Sequence, residues 1–202
     1  MTFVDTPEEL DSPLAAEPEL LAAHIAAEKA RAAERAGHGR GAATVIVAFD
    51  TIVLLDGRVL GKPHDVDDAW RMLRNLSGRT HEVVTGVAVL SEASADPATL
   101  AVSTNVRMKP LTDLEISAWM ARGEFMGCAG AYNIEGQVAE VDVTECFQNV
   151  AGLPLCHLWR LLASLDLACD LGRLGSPIHA CDEALGRRCA LGPTVLRAEG
   201  AS

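Results

Sequence analysis

A carboxylate and a lysine lie within one short stretch in the first third of the chain, each beside a signal for a turn. Asp50 follows the apolar run 44–49, and Lys62 lies between a glycine and a proline in Gly61-Lys62-Pro63. A carboxylate at the end of a strand can hold a divalent cation or deprotonate water, and a lysine can neutralise phosphate charge. The pair therefore indicates the chemistry of a metal-bound phosphate. From spacing alone, the alternative is a turn or cap aspartate beside a solvated hairpin lysine.

The elements that must position these two residues alternate between strands and helices. Residues 44–49 predict a central strand that is buried on both faces and ends at Asp50, where the ligands of open α/β sheets gather. Asp56-Gly57 predicts a hairpin over residues 53–60. Further strands are predicted over residues 81–90, 99–108 and 137–143, and helices over residues 18–35, 66–75, 113–122 and 155–165. This order indicates an α/β domain with a mixed sheet flanked by helices.

Composition narrows the classes of partner. The 202 residues carry a formal net charge of −11 and show no cluster of Lys and Arg, which argues against nucleic acid and membrane surfaces as partners. There is no apolar run of transmembrane length and no basic start followed by an apolar segment, so we expect a cytoplasmic protein. Six cysteines are then expected to be reduced thiols.

Several motifs occur together in a fixed order. They are Asp50-Thr51, Gly61-Lys62-Pro63, Leu76-Ser77-Gly78, His81, Thr85-Gly86, the block 128–136 and the block 149–155. Over about residues 1–165 this series resembles the Maf family, the septum-formation-inhibitor-like nucleoside triphosphate pyrophosphatases. The resemblance implies a two-lobed α/β fold with a central cleft, like that of inosine triphosphate pyrophosphatase. It also divides the chain into a Maf-like domain, residues 1–165, and a C-terminal extension, residues 166–202.

The resemblance also implies roles for individual residues. Asp50 matches the catalytic acid of the family and a ligand of its divalent cation, which we expect to be Mg²⁺ with Mn²⁺ as the alternative. Lys62 and Lys29 match lysines near the phosphates, although Lys29 also fits an exposed helix lysine. Glu9 lies closest to the place of a second metal-binding carboxylate. The implied partners are a nucleoside triphosphate substrate and, because family members often dimerise, a second copy of the chain.

Two further positions match those that sort base specificity in the family. Members that take dTTP and UTP tend to pair Thr with Gln, and members that take 7-methyl-GTP tend to pair Gln with Glu. This chain combines Thr51 with Glu135, so its base preference stays open. His81 could touch a ligand, but a lone histidine at the start of a strand is more often structural.

Two departures from the family pattern keep a second function open. The family begins with a Ser-x-Ser-Pro-Arg-Arg-like phosphate loop, which would fall before Met1 here. Either the natural start lies further upstream, or the chain is a shortened relative without catalysis. Gly127-Cys128 also stands where many members carry Asp-Lys. The sequence therefore predicts a nucleoside triphosphate pyrophosphatase, with a non-catalytic nucleotide-binding or cell-division regulatory relative as the alternative.

The C-terminal extension carries its own group of metal-ligand types. These residues are Cys169, His179, Cys181 and Cys189. Their spacing does not include the close Cys-x₂₋₄-Cys pairs that are typical of a zinc site. Ordinary thiols are therefore favoured over a metal-dependent interaction module.

Overall fold

Five strands form one sheet in the computed structural model, which describes residues 13–38, 44–92, 94–136, 138–165 and 175–197. The strands are β1 (Val45–Leu55), β2 (Arg58–Leu60), β3 (Thr80–Ser91), β4 (Ala98–Met108) and β5 (Ala139–Val141), in the order β2-β1-β3-β4-β5. The helices are α1 (Pro18–Arg35), α2 (Val66–Leu76), α3 (Asp113–Met120), α4 (Phe147–Val150), α5 (Leu155–Ser164), α6 (Pro177–Leu185) and α7 (Gly192–Arg197). The predicted α/β fold with a helix-flanked sheet is confirmed.

The sheet differs from the mixed one that the order of elements predicts, because its strand pairs in the described part of the chain are all antiparallel. A parallel pair needs a crossover between neighbouring strands. The crossover helix α2 joins β2 to β3, but these strands lie on either side of β1 and do not pair. The predicted β1–β2 hairpin is present, and its turn residues Asp56 (φ 52°) and Gly57 (φ 73°) both have the positive φ of a type I′ turn.

Strand β1 is longer than predicted, so Asp50 lies in its middle and not at its end. The prediction of burial on both faces is also wrong for residues 45–49, which are only half-buried. The reason is that β2 covers only Val53–Leu55, whereas β3 pairs with β1 along almost its whole length. A carboxylate interrupts an apolar run in sequence, but it need not end a strand if its side chain finds a partner on one face.

Side chains of the sheet alternate between two packed faces, as the pleat requires. Residues of one face pack against α1 in two clusters; these include Ile52, Leu54, Val84, Ala88 and Leu90. Residues of the other face form the larger core with α2, α3 and the segment around residue 131; these include Val53, Leu55, Val83, Val106 and Met108. Asp50 belongs to the α1 face, and the next residue, Thr51, belongs to the other.

Helix α1 approaches the sheet unusually closely at Gly86. A Cβ atom built on Gly86 would lie 2.1 Å from the carbonyl oxygen of Ala22, so only glycine fits there. Three buried alanines one turn apart, Ala22, Ala26 and Ala30, continue this contact along the helix. Gly86 is the β3 partner of Asp50, and the small residues therefore hold α1 directly over the strand that carries the carboxylate.

Helices α1, α2, α3 and α5 lie where the sequence predicts helices. The capping box at the start of α3 is confirmed: the Glu115 amide donates to the Thr112 hydroxyl, and the Thr112 amide donates to the Glu115 carboxylate. Helices α6 and α7 lie in the C-terminal extension, contact α5 and were not predicted. No helix in the described segments has the length and apolar character needed to cross a membrane.

Candidate active site

The two charged side chains on facing elements, Lys29 of α1 and Asp50 of β1, form an ion pair. The Lys29 ammonium lies 2.5 Å from Asp50 Oδ1, and the side chains are 20% and 4% exposed. The close packing of α1 at Gly86 brings the helix near enough for this contact. Lys29 is therefore not the exposed helix lysine that its sequence context also allows.

A cavity of about 510 Å³ opens beside this ion pair and brings together five of the predicted site residues. These are Lys29, Asp50, Thr51, Lys62 and Glu135. The sixth, Glu9, lies outside the described residues. Apolar side chains supply much of the remaining wall: Phe49, Val53, Val83, Ile134 and Val150. Charged groups beside an apolar wall suit a ligand that has a phosphate part and a flat base.

The hydroxyl of Thr51 belongs to a short chain of hydrogen bonds that leads into the core. Thr51 Oγ1 lies 2.9 Å from Thr85 Oγ1, and the Thr85 hydroxyl donates to the carbonyl oxygen of Asn149 at 3.0 Å. The Gly152 amide donates to the same carbonyl at 2.9 Å. Thr85 and Asn149 are completely buried. Thr51 is thus held in one orientation at the cavity wall.

A buried histidine supports another part of the wall. His81 Nε2 lies 2.6 Å from the hydroxyl of Tyr132, and Tyr132 lines the cavity. Burial lowers the pKa of His81 to about 4 and raises the pKa of the Tyr132 phenol, so both side chains are neutral at pH 7. His81 is not among the residues that line the cavity, which agrees with the structural role favoured from the sequence.

Cys128 occupies the cavity wall where many family members carry a charged residue. Its thiol donates to the Glu124 carbonyl at 3.3 Å. Burial raises the pKa of the Cys128 thiol, and the nearby Lys62 only partly offsets that effect. Cys128 therefore brings no charge to the cavity at neutral pH.

Among the described residues, two carboxylates line the cavity, Asp50 and Glu135, and Asp50 is the one predicted to hold a divalent cation. Within residues 13–38, 44–92, 94–136, 138–165 and 175–197, no three His, Cys, Asp or Glu side chains are placed to hold a metal ion. Mg²⁺ is usually bound through one or two carboxylates together with substrate phosphates and water. The carboxylate oxygens of Asp50 are hard donors of the kind that Mg²⁺ prefers. Phosphate oxygens of a bound nucleotide would complete the coordination shell.

Four thiols gather away from the cavity, between α5, α6 and α7. Cys146, Cys156, Cys181 and Cys189 line one small pocket there. Burial raises the pKa of Cys156 to about 11 and that of Cys181 to about 12, so both are protonated at neutral pH. Of the other candidates in the extension, His179 is exposed, and Cys169 lies outside the described residues.

Sequence reasoning missed several residues that shape the cavity. Tyr132 and Gly152 line it, while Thr85 and Asn149 lie behind it and orient Thr51. All four fall inside motif blocks that the sequence singles out, but a block does not tell which of its members face a ligand and which only support one.

Comparison with known proteins gives matches to one family. The family model described as Maf-like protein matches residues 2–165. A dTTP/UTP pyrophosphatase of Syntrophomonas wolfei subsp. wolfei is 41% identical over 149 residues, which cover 72% of this chain and 76% of that protein. A dTTP/UTP pyrophosphatase of Geobacter sulfurreducens is 44% identical over 157 residues, 76% of this chain and 78% of that protein. The chain therefore belongs to the Maf family.

Proposed function

We propose that this chain hydrolyses a nucleoside triphosphate to the nucleoside monophosphate and pyrophosphate. The observation that carries the proposal is the cavity, which places the Asp50 carboxylate and two lysines beside an apolar wall with Thr51 and Glu135. Relatives that are 41–44% identical and are named dTTP/UTP pyrophosphatases support it.

The reaction requires a water molecule to attack the α-phosphorus. The bond from that phosphorus to the bridging oxygen breaks, and pyrophosphate leaves with the oxygen. Asp50 accepts the proton of the attacking water as general base. Lys29 holds the Asp50 carboxylate in place through the 2.5 Å ion pair, and Lys62 neutralises charge on the phosphates. Most of the rate enhancement then comes from positioning and electrostatic stabilisation.

Asp50 would hold the divalent cation, together with Glu9 according to the sequence-based prediction. When bound, Mg²⁺ or Mn²⁺ would neutralise the negative charge that develops on the phosphate oxygens.

The decisive experiment measures pyrophosphate release by the purified chain with Mg²⁺ and a panel of dTTP, UTP, CTP, GTP and 7-methyl-GTP. Asp50→Asn keeps the shape of the side chain but removes the base. We expect turnover by this variant to fall by a factor of about 10² to 10⁴, with an unchanged circular dichroism spectrum. Turnover at the wild-type level would remove Asp50 from the mechanism.

The second candidate is a nucleotide-binding relative without catalysis. Cys128 favours it, because a neutral thiol replaces a charged group of the family in the cavity wall. This candidate predicts that nucleotides raise the melting temperature of the folded protein while no pyrophosphate is released.

The proposed homodimer is a separate prediction. Light scattering coupled to size-exclusion chromatography should give twice the monomer mass of 21.4 kDa. A single species at the monomer mass over a wide concentration range would contradict it.

A further inference from the structure

The Thr85 hydroxyl has one hydrogen, and the structure shows where that hydrogen goes. Thr85 Oγ1 lies 3.0 Å from the Asn149 carbonyl oxygen in a completely buried position. A carbonyl oxygen can only accept a hydrogen bond. The hydrogen of Thr85 therefore points to Asn149, and the lone pairs of Thr85 remain for other partners.

The bond from Thr85 to Asn149 also determines the direction of the hydrogen bond between Thr51 and Thr85. Thr51 Oγ1 and Thr85 Oγ1 are 2.9 Å apart, a distance at which one hydroxyl must donate to the other. Because the hydrogen of Thr85 is already committed, Thr51 is the donor in this pair. The one hydrogen of Thr51 is then used inside the protein, so Thr51 can offer only lone pairs to a molecule in the cavity.

A second wall residue has the same polarity. Glu135 lines the same cavity, and an ionised carboxylate accepts hydrogen bonds without donating any. A base that presented a ring-nitrogen lone pair to Thr51 would leave two acceptors facing each other. A base that presents a ring N–H to Thr51 would instead supply the donor that this hydroxyl lacks.

We propose that Thr85 is a positioning residue for base selection, which fixes Thr51 as a hydrogen-bond acceptor. Through it, the site favours bases whose ring nitrogen carries a hydrogen, namely uracil, thymine and guanine, over cytosine and adenine. This inference rests on the proposed function, because it assumes that a nucleotide base occupies the cavity beside Thr51.

The test compares two nucleotide pairs, UTP with CTP and inosine triphosphate with ATP. Within each pair the ring nitrogen changes from N–H to a lone pair while the ring keeps its size. The wild-type protein should prefer the N–H member in kcat/KM. Thr85→Val removes the hydrogen that points to Asn149 and frees the Thr51 hydroxyl to donate. We expect this variant to narrow both preferences by about tenfold, the size expected for mismatched buried polar groups.

Two control variants separate polarity from a general loss of structure. Thr85→Ser keeps the hydroxyl and should keep both ratios within about twofold. Thr104→Val removes another completely buried threonine hydroxyl, which accepts from Asn149 Nδ2 at 3.0 Å but does not touch Thr51. It should leave both ratios unchanged even if the protein is less stable. The Gly152 amide still bonds the Asn149 carbonyl when Thr85 is replaced, which helps the Thr85→Val variant to fold.

Binding measurements keep the test independent of turnover. Calorimetry with α,β-methylene analogues of UTP and CTP should show the same preference and the same narrowing. If Thr85→Val does not fold, Thr51→Val should narrow the ratios by removing the acceptor itself. Unchanged ratios in folded Thr85→Val and Thr51→Val, or a wild-type preference for CTP and ATP, would overturn the inference. Absence of turnover with an intact binding preference would overturn the proposed function and support the inference.

Discussion

At the level of single residues, Asp50 can lie in the middle of strand β1 because Lys29 of helix α1 forms an ion pair with it. The Asp50 side chain is almost completely buried, and the Lys29 ammonium is 2.5 Å away. An isolated ion at such a depth would lose its hydration without compensation. Asp50 therefore depends on α1 for its charge to be tolerated, and the proposed general base depends on a residue 21 positions earlier in the chain.

The strength of this pair can be measured by a double-mutant cycle. Lys29→Met keeps the length of the side chain and removes its charge, so Asp50 loses its ion-pair partner. We expect the free energy of unfolding to fall by about 2–3 kcal/mol, below the range for fully buried pairs because Lys29 is partly exposed. In denaturant unfolding, the double variant Lys29→Met/Asp50→Asn should lose less free energy of unfolding than the losses of the two single variants added together. Strict additivity would show that the two residues do not interact.

At the element scale, the distance between α1 and the sheet decides whether Lys29 reaches the cavity. Gly86 lets the helix backbone lie directly on β3, opposite Asp50 in the neighbouring strand. The alanines that follow on α1 keep that distance along the sheet. Helix, strand pair and ion pair therefore form one unit, and a side chain at Gly86 would push them apart.

Gly86→Ala tests this unit. The added Cβ would meet backbone atoms of Ala22 at 2.1 and 2.2 Å, so α1 must shift. We expect a loss of about 3 kcal/mol in the free energy of unfolding, at the upper end of overpacking effects, together with a loss of pyrophosphate release. Gly127→Ala is the matched control for stability, because a Cβ there meets nothing within 4 Å. It should change the free energy of unfolding by no more than about 0.5 kcal/mol. Equal stability of the two variants would show that the close approach is not needed.

At the scale of the whole molecule, buried polar contacts tie the cavity wall to the sheet. His81, at the start of β3, holds Tyr132 of the wall, and Asn149 of α4 donates to the Val83 carbonyl and to Thr104. Groups buried without charge make global stability depend on pH, because unfolding exposes them to protonation.

The pH dependence of unfolding should therefore report on His81. Its pKa is about 4 in the folded protein and 6.5 when exposed, so the unfolded state binds more protons between these values. Stability from the neutral imidazole is complete above pH 6.5 and is lost as the pH falls towards 4. When the pH is lowered from 7 to 5, the free energy of unfolding should fall in both proteins. The fall should be about 1–2 kcal/mol smaller in His81→Gln than in the wild type.

Urea unfolding at several pH values measures this difference. Burial also lowers the pKa of His157, so the comparison between wild type and variant isolates His81. Parallel curves for the two proteins would contradict the assignment of a neutral, buried His81.

Individual residues show where sequence reasoning succeeds and where it fails. Asp56-Gly57 and the Thr112–Glu115 capping box were predictable, because a turn and a cap depend on residues only a few positions apart. The end of β1 was predicted wrongly, because a charged residue inside an apolar run ends a strand unless a distant partner is present. Helices α6 and α7 were not predicted, because short helices in the extension gain most of their stability from packing on α5.

Local pattern and motif order were enough to predict the family, most of the strands and helices around the site, and the residue types of the site. Which of those residues come into contact depends on the tertiary structure. It joined Lys29 to Asp50 across a glycine contact and placed Lys62 and Glu135 on one cavity. It also committed the Thr51 hydrogen to Thr85. The direction of a hydrogen bond and the closeness of a helix depend on atoms far apart in the chain, and spacing along a sequence carries no measure of either.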